Sequence, residues 1–89
     1  MSSEVMLAGG VRTPMGSFCG ALSQVPAPVL GSTAVKGAIR RTRVPVDQIE
    51  EVIIGNVLGA GLGQNVARQV TLGAGLPAKV SATTVNKVC

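Results

Sequence analysis

The rhythm of hydrophobic and polar positions changes several times along the chain, and each rhythm predicts an element. Val5-Met6-Leu7-Ala8-Gly9-Gly10-Val11 is a continuous apolar run of the kind found in sheets covered on both faces, and it predicts a first strand over 5–11. Arg12-Thr13-Pro14-Met15-Gly16-Ser17-Phe18 ends that run. Pro14 restricts its neighbour, Gly16 permits unusual backbone angles, and Phe18 is the one bulky anchor of a loop that continues through 19–28. From about Val29 to Arg43 the period becomes helical. Leu30, Ala34, Val35, Ala38 and Ile39 share one face, and Ser32, Lys36, Arg40 and Arg43 share the other. Basic residues crowd the last turn, where the helix dipole favours them, and Pro45 follows as a stop.

Asp47-Gln48-Ile49-Glu50 has the spacing of a capping box and predicts a single helical turn. Glu51-Val52-Ile53-Ile54-Gly55-Asn56-Val57-Leu58 is the clearest strand. A glycine-rich loop, 59–65, leads to a short helix from about Val66 to Ala74, with Asn65 as N-cap, Gly75 past its end and Pro77 beyond. A terminal strand is predicted over 79–88. Strand, helix, strand, helix, strand implies crossover connections and a layered α/β sheet. No internal repeat, low-complexity segment or interdomain linker interrupts it.

Composition narrows the chemistry. The 89 residues suffice for one small domain, yet they are 46% hydrophobic and only 1% aromatic, so the core must be aliphatic. A lone domain of this size buries only about 60–65% of its unfolded surface. With twelve glycines adding nothing to a core, three strands of this composition are expected to be completed by further chain. Two cysteines, Cys19 and Cys89, supply neither a disulfide framework nor paired metal-ligand spacing, which suggests a reduced, intracellular setting. Met1-Ser2-Ser3-Glu4 has neither a basic signal-peptide start nor the Arg-rich, acid-poor start of a transit peptide, and no stretch approaches about 20 apolar residues. The expectation is a cytoplasmic protein without a membrane partner. The formal charge of +4 comes from eight basic and four acidic residues, with every acid in the first 51 positions. No stacking aromatics interleave with the basic residues, so nucleic-acid binding is poorly supported and a solvated basic face is the simpler reading.

The glycine loop invites a dinucleotide or phosphate reading, which fails. From Gly59 the sixth position is Gln64, from Gly61 it is Val66, and no acid follows Glu51 to bind a ribose. No Gly-Lys-Ser/Thr follows either, so a flexible turn onto a helix start remains. The chain has no His, which removes a Cys–His dyad, a Ser–His–Asp triad and a His-ligated zinc within these residues. Asp47, Glu50 and Glu51 read best as caps, and Cys19 as a passive small residue. Val80-Ser81-Ala82-Thr83-Thr84-Val85-Asn86-Lys87-Val88-Cys89 places a thiol at the end of a β-branched run. Cys89 is therefore either a small buried hydrophobe or a nucleophile at a strand-to-helix corner, and the residues alone leave both open.

A family resemblance adds to this. Val11-Arg12-Thr13-Pro14-Met15-Gly16-Ser17-Phe18 resembles the opening signature of the thiolases. Gly55-Asn56-Val57-Leu58 with Gly63-Gln64-Asn65-Val66-Ala67-Arg68-Gln69 resembles their second strand, loop and helix. Gly73-Ala74-Gly75-Leu76-Pro77 with Thr84-Val85-Asn86-Lys87-Val88-Cys89 resembles the approach to their nucleophilic cysteine. The segments keep the family's order and spacing, most like its acetyl-CoA acetyltransferase branch. The resemblance implies that residues 1–89 form the opening β-α-β-α-β part of a thiolase N-terminal domain. It implies Cys89 as the nucleophile that carries an acetyl thioester while two acetyl-CoA condense to acetoacetyl-CoA and CoA. Its backbone N–H would help hold a developing oxyanion. Coenzyme A thioesters are then substrates rather than cofactors, no metal is implied, and a homodimer or homotetramer is expected. The family's base histidine, second cysteine, Asn-Glu-Ala-Phe segment and coenzyme-binding region lie downstream, so no coenzyme-binding residue is assigned. Alternatives are a longer-chain 3-ketoacyl-CoA thiolase, a ketoacyl synthase, or a non-catalytic fragment acting as an interaction module. The Arg-Thr-Pro-x-Gly-x-Phe opening and Asn-Lys-Val-Cys argue against the synthase.

Overall fold

A computed structural model describes residues 3–89; of the opening Met1-Ser2-Ser3-Glu4 run, Met1 and Ser2 lie outside the described residues. The elements are α1 (Ala27–Thr42), a 3-10 turn (Val46–Gln48), β1 (Glu51–Gly55), α2 (Val66–Gly73) and β2 (Ser81–Val85). β1 and β2 pair in parallel, in register from Glu51 opposite Ser81 to Gly55 opposite Val85, with α2 as the crossover. The fold class is α/β as the periodicity predicts.

The apolar run 5–11 does not join the sheet. Val5 and Leu7 are 96% and 99% exposed, and no strand pairs with them among the described residues. Strand propensity expresses itself through neighbours on the pleated surface, and here the run has none. β1 and β2 are also shorter than the predicted runs 51–58 and 79–88. Before α1 the backbone makes successive tight turns, Gly20 N–H to Ser17 O, Ser23 N–H to Gly20 O and Val25 N–H to Leu22 O, at 2.9–3.0 Å.

α1 begins at Pro26, whose φ of −62° and extended ψ serve as N-cap without a side-chain hydrogen bond. It ends where Arg43 turns left-handed and donates its N–H to Ile39 O at 2.8 Å. The face predicted to be apolar is half-buried throughout, but Ser32 is a correction. It sits at the contact with α2, donating to Pro28 O at 2.8 Å and lying 3.4 Å from Val70 O. Glycines permit this approach. A Cβ on Gly31 would stand 2.7 Å from Val70 Cγ2, and one on Gly73 would collide with Ser32 Oγ.

The acids are a second correction. Pro45, with φ −62° and ψ 132°, occupies the cap position of the 3-10 turn, and there is no side-chain cap bond. Asp47 is inside that turn and so cannot cap it, while Glu50 contributes its backbone carbonyl to Ser81 N–H at 3.1 Å.

The core is centred on α2, which packs against α1 on one side and the sheet on the other: Val66, Ala67, Val70, Leu76 and Val80 are buried, and buried Thr71 satisfies its hydroxyl on Ala67 O at 2.7 Å. α2 stops as its sequence predicts. Gly75 takes φ +84°, its N–H reaches Leu72 O, and Leu76 N–H reaches Thr71 O at 3.1 Å, the paired bonds of a Schellman ending that also seats Leu76 in the core. In β1 and β2 the burial alternates, so Val52, Ile54, Ala82 and Thr84 point toward α2. Ile53 and Val85 point away and remain 60% and 44% exposed.

Candidate nucleophile site at the strand ends

The carboxyl ends of two parallel strands and the start of the helix between them meet at one edge of the sheet, a recurrent place for ligands in α/β folds. A cleft of about 300 Å³ opens there, lined among others by Asn56, Gly59, Gly63, Asn65, Thr84 and Asn86. Its walls are uncharged, made of amides, a hydroxyl, glycine backbone and the side chains of Val57 and Val66. A wider, shallow concavity of about 860 Å³, bordered by Val11, Arg12 and Arg41, lies away from it and contains no nucleophile.

Asn65 organises the cleft. It is the N-cap of α2, as its sequence position predicts, and its Oδ1 accepts from Arg68 N–H at 3.2 Å. Its backbone, φ 37° and ψ 82°, is left-handed rather than extended, a conformation that Asn tolerates better than most residues. Two bonds tie it to β2: Oδ1 accepts from Thr84 Oγ1 at 2.7 Å, and Nδ2 donates to Ala82 O at 3.2 Å. Thr84 Oγ1 in turn accepts from Ala67 N–H at 2.9 Å, satisfying a first-turn donor that the helix itself leaves unpaired. Gln69 closes the other side. Its Nε2 donates to Leu62 O at 2.7 Å and Gln64 O at 2.9 Å, so the glycine loop is held down on the helix it precedes.

Sequence reasoning identified Asn65 as a cap but missed Thr84 and Gln69. The available signal for Thr84 was its inward register on β2, opposite the first turn of α2.

Cys89 is a free, exposed thiol with φ +39°, reached from β2 through residues 86–88. The ladder extends one step past the strands, Asn56 N–H donating to Val85 O at 2.8 Å, so the chain leaves the sheet from a fixed point. Cys19 is also free and exposed, in the turns beside Phe18, and neither cysteine is among the residues lining the cleft, whose nearest approach along the chain to Cys89 is Asn86. Among the described residues no cluster of His, Cys, Asp or Glu is arranged to hold a metal ion, and no helix is long and apolar enough to cross a membrane.

Comparison with known proteins agrees with the fold. A mitochondrial acetyl-CoA acetyltransferase of Danio rerio is 56% identical over 87 residues, covering 98% of this chain and 21% of that protein. An acetyl-CoA acetyltransferase of Schizosaccharomyces pombe is 53% identical over 89 residues, covering 100% of this chain and 22% of the relative. The crystal structure of Acat5 thiolase from Ascaris suum in complex with coenzyme A superposes with a TM-score of 0.86 at 48% identity, over 90% of this chain and 21% of that one. The chain thus spans about a fifth of the length of the relatives it matches. The sequence model for the thiolase N-terminal domain matches residues 5–89, and the chain belongs to the thiolase family.

Proposed function

We propose that this chain is the nucleophile-bearing segment of an acetyl-CoA acetyltransferase, with Cys89 as the nucleophile. The observation that carries the reading is identity of 53–56% to proteins of that name across 98–100% of this chain. Residues 1–89 are read as the incomplete opening of the thiolase N-terminal domain.

In the proposed reaction the Cys89 thiolate attacks the thioester carbonyl of acetyl-CoA. The C–S bond to coenzyme A breaks, CoA leaves as thiolate and takes up a proton, and the acetyl group rests on Cys89 as a new thioester. This preserves its activation while CoA is exchanged for the acceptor. The acceptor acetyl-CoA loses an α-proton to a base. Its carbanion attacks the acetyl-Cys89 carbonyl, and the Cys89–acetyl bond breaks to release acetoacetyl-CoA and the free thiolate. That base is read as the family's second cysteine, and, as the chain has no His, the family's base histidine is likewise read as part of the rest of the enzyme. Coenzyme A thioesters as substrates are supported by the coenzyme A complex of the Ascaris suum thiolase. A homodimer or homotetramer remains the proposed assembly. The cytosol is the proposed compartment, supported by the cytosolic relative of Gibberella zeae; the mitochondrial relatives make cell fractionation the measurement that decides it.

The test is the thiolytic and condensing activity of the full-length enzyme carrying Cys89→Ser. A loss of at least about a thousandfold is expected for removal of a covalent nucleophile. Retention of wild-type turnover would contradict the assignment.

A further inference from the structure

We propose that Thr84 is a positioning residue for Cys89, its hydroxyl pinning the end of β2 to the first turn of α2 so that the thiol is presented from a fixed base. The inference rests on the reading of Cys89 as nucleophile. Four bonds carry it: Thr84 Oγ1 to Asn65 Oδ1 at 2.7 Å, Ala67 N–H to Thr84 Oγ1 at 2.9 Å, Asn65 Nδ2 to Ala82 O at 3.2 Å, and Asn56 N–H to Val85 O at 2.8 Å. Together they fix both sides of the strand end, the hydroxyl on its α2 side and the ladder on its β1 side. Among the described residues these are the last hydrogen bonds before residues 86–89, which makes Thr84 and Val85 the anchor on the β2 side of Cys89.

Thr84 is suited to this in a way that a purely apolar strand residue is not. One hydroxyl donates to the cap and accepts from the helix at once, using both its hydrogen-bonding capacities across two elements. Replacing it by valine keeps the shape and β-branching but orphans Ala67 N–H and removes one of the donors to Asn65 Oδ1. The strand remains, and its end loosens. A displacement of about 1 Å at a reacting group can cost about a hundredfold in rate.

The experiment uses the full-length enzyme, with acetyl-CoA as probe, and compares wild type, Thr84→Val, Thr84→Ser and Asn65→Gly. Asn65→Gly keeps the left-handed backbone accessible while deleting the acceptor that Thr84 bonds. Expected for Thr84→Val and Asn65→Gly is a fall in kcat of about 10–100-fold with KM for acetyl-CoA changed less than about threefold, the pattern of lost orientation. Thr84→Ser, which restores the hydroxyl, should stay within about threefold of wild type in both. Wild-type kcat in a folded Thr84→Val enzyme, or a fall in Thr84→Ser as large as in Thr84→Val, overturns the inference and leaves the role of Cys89 intact. If Thr84→Val does not fold, wild-type kcat in Asn65→Gly overturns it. A wild-type enzyme that forms no acetyl adduct at Cys89 overturns the functional reading and this inference with it.

Discussion

Cys19 and Cys89 share two local properties, since both thiols are exposed and both residues take a positive φ, 57° and 39°. What stands behind them differs. Cys19 sits in consecutive tight turns between an extended apolar run and α1, beside a Phe18 that is 97% exposed. Cys89 follows a strand that is paired with β1, packed under α2 and clasped by Asn65. The same side chain is a loop residue in one region and, in the proposed function, the nucleophile in the other. Local exposure and backbone angle do not separate the two. The pairing and hydrogen bonding of the element that precedes the thiol do.

The contrast between regions can be broken most strongly at their leucines. Leu76 is 5% exposed and Leu7 is 99% exposed. Leu76→Ala removes a core side chain next to the helix ending and is expected to cost about 2–5 kcal/mol. Leu7→Ala removes nothing that is buried within residues 3–89, so in the 89-residue chain it should stay within about 0.5 kcal/mol. Hydrogen exchange reads both: protection of α2 and β2 collapses in the first variant and is unchanged in the second. Equal losses would mean that the run 5–11 is packed as tightly as the α2 unit.

A smaller effect with a change of sign sharpens the same point within α1. An added Cβ at Gly31 would meet Val70 Cγ2 at 2.7 Å, whereas at Gly37 the nearest atom is Val11 Cγ2 at 3.8 Å. Gly31→Ala should destabilise by about 1–3 kcal/mol through overpacking against α2, less the helix-propensity gain of up to about 1 kcal/mol. Gly37→Ala keeps that gain and should stabilise by about 0.5–1 kcal/mol. Thermal unfolding of the two variants checks the opposite signs.

Where the sequence was legible, the signals were local. Asn65 before α2 and Gly75 after it mark the helix because capping and the left-handed turn involve only near neighbours. The apolar face of α1 was likewise readable from its period. The parts that were not legible depend on partners far along the chain. The run 5–11 has a strand's composition and, among the described residues, no strand beside it. Ser32 looked like a solvent residue until Gly31 and Gly73 brought the helices together. Asp47 had capping-box spacing, but Pro45 had already taken the cap position. At the site, Cys89 was picked out by its resemblance to a family motif, while the Asn65–Thr84 clasp needed the register of β2 against α2.

The central claim is that the thiol presented by the clasped strand is the one that carries the acetyl group. Its most direct test is peptide mapping of the full-length enzyme after brief incubation with isotopically labelled acetyl-CoA and an acid quench. The account predicts label on the peptide containing Cys89 and none on the peptide containing Cys19. Label on Cys19, or two free thiols in an enzyme that still turns over, would contradict it.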